Sequence, residues 1–316
     1  MNTYEVFPTM ITPYCVDGSI DFETAEKYVD WYYENGCTGV FAICQSSEIF
    51  YLTLEERVEL NRRVWQRAKA LEKKYGRKFT VVSSGHTADT HEKQVEELTE
   101  IAKTGTDAII LITNRLDINN EGDDIWIQNA EKLLACLPND IKLGLYECPY
   151  PYKRLVTDKI LKWCLSTGRF YYMKDTCCDA VEIARRNQIL MGSQFKLLNA
   201  NCQTLLDSLK TGGKGYCGIM ANFHPKAYVW LVQNFKNKPE KAEALQNLLG
   251  TLGFTEGGFP YPLSAKYHMC LEGIPTENLS RTRDSAHLTN YMKNSIGQMR
   301  DLVNTYFNTI ILEETK

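Results

Sequence analysis

Short apolar runs alternate with amphipathic stretches from the N-terminus to beyond residue 220. The runs 6–12 (VFPTMIT), 39–44 (GVFAIC), 79–84 (FTVVSS) and 107–113 (DAIILIT) read as strands. So do 142–147 (KLGLYE), 170–175 (FYYMKD), 195–200 (FKLLNA) and 215–220 (GYCGIM). Phe170 to Met173 is apolar or aromatic at every position, as a parallel strand covered by helices on both faces can be. Helical patterns lie between the runs. DFETAEKYVDWYYENG opens on Asp21 as N-cap, carries Glu23 in its first turn and closes at Gly36. TLEERVELNRRVWQRAKALEKKYG starts with a Thr53–Glu56 capping box and stops at Gly76, and TADTHEKQVEELTEIAKTG stops at Gly105. Eight strand–helix units predict an α/β fold, a (β/α)8 TIM barrel over residues 1–236, with a doubly wound open sheet as the competing arrangement. After about residue 236 the strands stop, and 237–316 reads as a helical C-terminal extension packed on the barrel.

The composition narrows the function classes. The chain has 316 residues, 44% hydrophobic and 24% charged, with a net charge of −3. That is ordinary globular composition, with no electrostatic reason to expect nucleic acid or a membrane surface as partner. The opening MNTYEVFPTM has an acid at Glu5 and no basic n-region, so it does not read as a signal peptide, and no run is long enough to span a membrane. Eleven cysteines, an odd number, are scattered through the elements. Cys44, Cys136, Cys164, Cys217 and Cys270 stand in apolar settings, as buried free thiols do. No C-x-x-C, zinc spacing or H-x-x-x-H pair occurs, so neither metal nor cofactor is expected, and a reduced cytoplasm fits.

Some patterns are decoys. Gly213, Gly215 and Gly218 match the dinucleotide fingerprint in spacing, but they run into and through an apolar strand instead of opening a helix, so they do not predict a nucleotide site. His86, His91 and His224 read as caps, loop groups or surface residues. The EKKYGRK run reads as a solvated helix end.

One lysine, in RFYYMKDTCC, stands out. Lys174 is at the mouth of an otherwise aromatic strand, next to Asp175. It could snorkel to solvent or pair with Asp175. It could also be a nucleophile, because removing an ammonium from water favours the free amine, which attacks carbonyls. In a barrel the C-terminal ends of the strands meet at one site. Those ends carry Ser46, Ser47 and Glu48 after strand two, Tyr146 on strand five, Lys174 on strand six, and Gly215 and Gly218 on strand eight. Hydroxyls and loop N–H groups can hold a carboxylate, a phenol can pass a proton, an amine can form an imine, and glycines let a ligand approach the backbone.

With these residues in view, the chain resembles the family of dihydrodipicolinate synthase and N-acetylneuraminate lyase, Schiff-base class I aldolases on a (β/α)8 barrel. TPYCVDGSIDFETAEKYVDW is similar to the family's T-P-[FY]…G-x-[IV]-D opening, and CQSSEIFYLTLEER to its G-[TS]-T-G-E-x-x-x-L-[TS]-x-x-E loop. LYECPYP resembles the Y-N-x-P segment, and YYMKDTCCD the [IV]-K-[DE] lysine strand. GGKGYCGIMANFHP resembles G-[AG]-x-G-x-I-S-x-x-x-N-x-x-P, and YPLSAKYHMCLEG the P-x-x-x-K segment. The resemblance spans roughly residues 6–309, with every motif in order. It implies that Lys174 forms the imine and Tyr146 transfers protons. It also implies that Gln45, Ser46, Ser47 and Cys217 contact the substrate, Ser46 through a hydroxyl and Cys217 through its carbonyl.

The departures bear on the substrate. Gln45 stands where the family has a Thr or Ser relay hydroxyl, Ser47 replaces a glycine, and Leu116 occupies the place of the relay's second tyrosine. The arginine that binds the aldehyde's carboxylate in the synthases aligns with Pro151, with Lys153 and Arg154 close by as substitutes. The Asp-Glu pair that holds sugar hydroxyls in the lyases aligns with Cys202 and Gln203. The expectation is therefore a cytoplasmic lyase or aldolase that acts on a pyruvate-type 2-oxo acid, with its second substrate unassigned. A dehydratase or hydratase-aldolase of the same family and a non-catalytic 2-oxo-acid-binding relative are the alternatives. The resemblance also implies a homotetramer, in which the aromatic WYYENG helix and the NTYFNTIIL tail would find burial.

Overall fold

The computed structural model describes residues 4–312. Strands and helices alternate: β1 (Glu5–Val6), α1 (Phe22–Glu34), β2 (Gly39–Phe41), α2 (Leu54–Tyr75), β3 (Thr80–Ser83), α3 (His91–Ala102), β4 (Ala108–Ile112) and α4 (Asp123–Cys136). Then come β5 (Leu143–Tyr146), α5 (Asp158–Thr167), β6 (Phe170–Asp175), α6 (Ala180–Leu190), β7 (Lys196–Asn199), α7 (Leu205–Lys210), β8 (Gly215–Tyr216) and α8 (Pro225–Asn234). All pairings are parallel, in the order β1-β8-β7-β6-β5-β4-β3-β2. A Thr9–Phe41 bridge joins the chain after β1 to β2 and closes the sheet. Strand one neighbouring both strand eight and strand two is a barrel, and it rules out the doubly wound sheet.

Local chemistry sets the element ends as the sequence suggests. The Asp21 carboxylate accepts from the Thr24 N–H at 2.9 Å. Thr53 and Glu56 exchange both bonds of the capping box, at 2.9 and 3.2 Å, and Gly76 ends that helix at φ 75°. The first and last strands are shorter than the apolar runs. Pro8 has no N–H for a ladder, so the chain past Val6 bonds to β2 only through the Pro8 carbonyl and the Met10 amide. After Tyr216 the backbone turns, and Ile219–Asn222 forms a 3-10 turn.

The strands are buried on both faces, and their alternation separates two cores. Ala108, Ile110 and Ile112 belong with Tyr146 and Leu198, whereas Ile109 and Leu111 pack with Leu143, Leu145, Met173 and Trp126 under the helices. Each such side chain contributes roughly 1.5–3 kcal/mol on burial. The alternation also decides direction: Tyr146 and Lys174 share the inward face, and their successors Glu147 and Asp175 point out toward the helix layer.

Three helices follow, α9 (Pro239–Glu256), α10 (Leu263–Leu271) and α11 (Asn290–Tyr306). Leu245, Leu249, Leu263, Met269 and Val303 lie in the same buried cluster as the barrel residues. Trp31, Tyr32 and Tyr33 of the WYYENG helix and Phe307 and Ile311 of the tail are buried within this one chain. Their burial therefore requires no partner copy, and that support for assembly falls away. Cys44, Cys164 and Cys217 are buried as expected, but Cys136 and Cys270 are exposed, each near the end of a surface helix. Among the described residues no helix is long and apolar enough to cross a membrane.

Candidate active site

Parallel register places Tyr146 of β5 directly opposite Lys174 of β6. The Lys174 ammonium nitrogen lies 4.1 Å from the centroid of the Tyr146 ring and 5.6 Å from that of Phe41. Lys174 is buried and makes no ion pair among the described residues, so aromatic faces are its main electrostatic partners. The pairing with Asp175 does not form. Asp175 turns outward to Arg186 of α6, which also holds Glu147 at 2.9 Å, because neighbouring strand residues point to opposite faces.

The Tyr146 hydroxyl donates to Gln45 Oε1 at 3.3 Å, and the Cys148 thiol approaches the same oxygen at 3.6 Å. Burial, reinforced by the neighbouring Cys148 and Cys44 thiols, pushes the Tyr146 phenol well above its ordinary range. Gln45 therefore orients the phenol through its side-chain oxygen, and an amide oxygen has no proton to hand on. Leu116 packs in the outer core with Trp126, away from this phenol.

Ser46 and Ser47 separate in role. The Ser46 hydroxyl donates to Thr9 Oγ1 at 3.0 Å. The Tyr261 phenol, which accepts from Asn222 Nδ2 at 3.0 Å, adds a third hydroxyl, and Ser46 and Thr9 partly offset the upward push that burial gives it. Ser47 is fully buried, and its hydroxyl is used at home: it accepts from the Cys44 amide at 2.6 Å and donates to the Cys44 carbonyl at 2.8 Å. A serine in a tight 3-10 turn satisfies its own backbone first, so the Ser47 hydroxyl is engaged within the turn. Cys217 is buried behind Lys174, and desolvation pushes its thiol up to about 12.

Lys174, Tyr146, Gln45 and Ser46 line one pocket of about 740 Å³, together with Lys153, Tyr261 and residues of the loops around it. Lys153 reaches the pocket and donates to the Thr176 carbonyl at 2.6 Å. Arg154 does not line it: its buried guanidinium is taken by Asp117 at 3.1 Å and Asp123 at 2.8 Å. Cys202 and Gln203 also lie outside, with Gln203 bonded to the Gly250 carbonyl at 3.1 Å.

The decoy glycines have packing reasons. A Cβ on Gly215 would stand 1.9 Å from the Glu5 carbonyl oxygen, so this residue lets β8 close on β1 and not a ligand on the backbone. Gly218 lines the pocket, and a Cβ there would meet the Ala200 carbonyl at 2.4 Å. Two of the three histidines are interior, and of these His224 stands at the N-cap of α8. His86 is fully buried, its Nε2 accepts the Ile112 N–H at 2.6 Å, and burial lowers it to about 4. His224 is buried against Glu256 at 2.9 Å. Among the described residues no group of three or more His, Cys, Asp or Glu side chains is arranged to hold a metal ion.

Sequence reasoning missed Thr9 and Tyr261. Thr9 follows Pro8 in a broken strand, and Tyr261 sits beyond the barrel after α9. A search confined to strand ends cannot find either.

Comparison with known proteins agrees with this fold. Residues 2–113 match the model of the dihydrodipicolinate synthetase family. The chain is 24% identical over 290 residues to the 4-hydroxy-tetrahydrodipicolinate synthase of Saccharophagus degradans, covering 83% of this chain and 94% of that one. It is 24% identical over 282 residues to the enzyme of the same name from Methanococcus vannielii, covering 87% and 90%. Among solved structures, a prophage protein of the dihydrodipicolinic acid synthase family from E. coli K12, in complex with pyruvate, superposes with a TM-score of 0.81. It is 19% identical, with 96% of this chain and 98% of that one covered. A monomeric dihydrodipicolinate synthase variant also superposes with a TM-score of 0.81, at 19% identity, with 95% and 97% covered.

Proposed function

We propose that this chain is a member of the dihydrodipicolinate synthetase family, whose model matches residues 2–113, and a lyase or aldolase that binds a pyruvate-type 2-oxo acid as an imine on Lys174. The observation that carries the reading is Lys174 itself: a buried amine without a carboxylate partner, on the pocket floor, in register with a phenol. The Lys174 nitrogen adds to the C2 carbonyl to give a carbinolamine. Tyr146 supplies a proton to the departing hydroxyl and recovers one, so that water leaves and a protonated imine remains. The imine draws electrons from the bond two atoms away, and through the enamine a carbon–carbon bond is made or broken. The hydroxyls of Ser46, Thr9 and Tyr261 form the cluster that receives the substrate carboxylate, and the family resemblance adds the Cys217 carbonyl to it.

Borohydride added with pyruvate tests this. It reduces the imine to a stable secondary amine, so peptide mass spectrometry should find the adduct on the peptide that holds Lys174 and on no other. Turnover of an oxo acid with Lys174 unmodified would refute the mechanism. Trapping without any turnover would favour the non-catalytic binder, a reading motivated by the relay, where Gln45 receives the phenol and Leu116 lies outside. Water elimination from a hydroxylated oxo acid would identify the dehydratase. The reading includes a homotetramer, which rests on family resemblance alone, and a reducing cytoplasmic location, which buried free thiols such as Cys37, Cys44 and Cys164 support.

A further inference from the structure

The pocket carries more positive charge than a single 2-oxo acid can use. Among its lining residues are three cations, Lys153, Lys174 and Arg283, and one carboxylate, Glu48. That carboxylate is already spent. It is buried at a residue with φ 63°, and it accepts from Lys266 Nζ at 3.2 Å, Ser280 Oγ at 2.9 Å, and the Arg281 and Thr282 amides at 2.6 and 3.0 Å. These bonds tie the 280–283 loop of the C-terminal extension to the turn after β2, and Ser280 Oγ in turn accepts the Arg283 amide at 3.1 Å. Glu48 therefore fixes where Arg283 stands. The adjacent Arg281 is bound to both Glu56 oxygens at 2.7 Å, but the Arg283 guanidinium has no hydrogen-bond or ion-pair partner among the described residues. Every other arginine side chain has a carboxylate or carbonyl oxygen.

A three-carbon acid held at Lys174 and the hydroxyl cluster fills a small part of about 740 Å³. It leaves Lys153 and Arg283 uncompensated in a cleft that also has aromatic walls, where Phe50 and Tyr150 meet edge to face at 4.9 Å. We propose that Arg283, together with Lys153, is an anion subsite for the second fragment of the substrate. The physiological substrate would then carry an acidic group, carboxylate or phosphate type, in addition to its 2-oxo acid. The inference rests on the imine reading for the identity of the first fragment. It differs from the arginine position of the resembled synthases, which here is Pro151, because the cation comes from the C-terminal extension. A planar guanidinium suits a bidentate oxyanion, and a lysine close by adds a second point charge.

Calorimetric titration with butyrate, glutarate and 4-phosphonobutyrate tests the subsite without requiring turnover. Glutarate or 4-phosphonobutyrate should bind on the order of tenfold more tightly than butyrate, as charge-assisted pairing at a partly exposed site gives. The tighter of the two identifies the anion. Arg283→Gln should remove most of that preference, and Lys153→Gln a smaller part. Equal binding of all three acids, or a preference that survives in both variants, would overturn the inference. Borohydride trapping of pyruvate on the wild-type protein separates the two readings. Trapping with no anion preference defeats the subsite alone, and an anion preference with no trapping defeats the imine alone.

Discussion

Lys174 and Tyr146 are direct register partners on adjacent parallel strands, with the ammonium nitrogen 4.1 Å from the centre of the phenol ring. Neither residue needs a flexible loop to reach the other. The ladder that builds the barrel also sets the distance between ammonium and phenol, the positional accuracy that the proposed imine chemistry would require.

Tyr146→Phe keeps the ring over Lys174 and deletes only the hydroxyl that donates to Gln45. Imine formation should slow by about 10²–10⁴-fold, the usual share of a positioned proton donor. Rapid-quench trapping with borohydride measures it. An unchanged rate would show that water, not the phenol, moves the proton.

Arg186 should matter for stability more than its distance from substrate suggests. It is almost fully buried on α6 and holds Glu147 at 2.9 Å, Asp175, and the Val156 carbonyl at 2.8 Å, binding together the residues that follow Tyr146 and Lys174. Arg186→Met leaves the acidic pair Glu147 and Asp175 buried without its cation, a loss on the order of 3–5 kcal/mol. The urea midpoint should fall accordingly, and a midpoint within error of wild type would show that both carboxylates find other compensation.

The barrel was legible because its signals are local and repeated: capping at Asp21 and Thr53, stops at Gly36 and Gly76, and apolar runs between them. Lys174 and Tyr146 were legible because strand ends converge. The direction of the Ser47 hydroxyl was not legible, because sequence shows a hydroxyl but not where it points, and the turn folds it back onto Cys44. Tyr261 and Arg283 were hidden for another reason. They approach the pocket from the C-terminal extension, through long-range contacts such as Asn222–Tyr261 and Glu48–Ser280 that no short pattern encodes.

Light scattering at micromolar concentration should give the mass of a homotetramer. Trp31, Tyr32, Tyr33, Phe307 and Ile311 are covered within the chain and leave no demand for a partner there. A monomer would remove the assembly from the proposed function without touching the imine, since Lys174, Tyr146, Gln45 and Ser46 all come from one chain.

The last expectation concerns pH. Burial, joined by the neighbouring Asp175 carboxylate, pushes Glu147 up to about 7, even though Arg186 pulls the other way. One guanidinium faces two acidic groups, so Glu147 holds its proton up to about 7. The unfolded chain releases that proton near the ordinary glutamate value of about 4.3. Between those values the folded state binds the extra proton, so this group's contribution to stability is fully present below about 4.3. It is lost as pH rises through about 7, by at most on the order of 3 kcal/mol. Glu147→Gln removes the titration and keeps the shape, and the attraction of Arg186 is already contained in the raised value. The melting temperature of the variant relative to wild type should therefore climb steadily from pH 5 to pH 7.5. A flat difference across that range would mean that Glu147 is ionised throughout, with Arg186 satisfying both carboxylates at once.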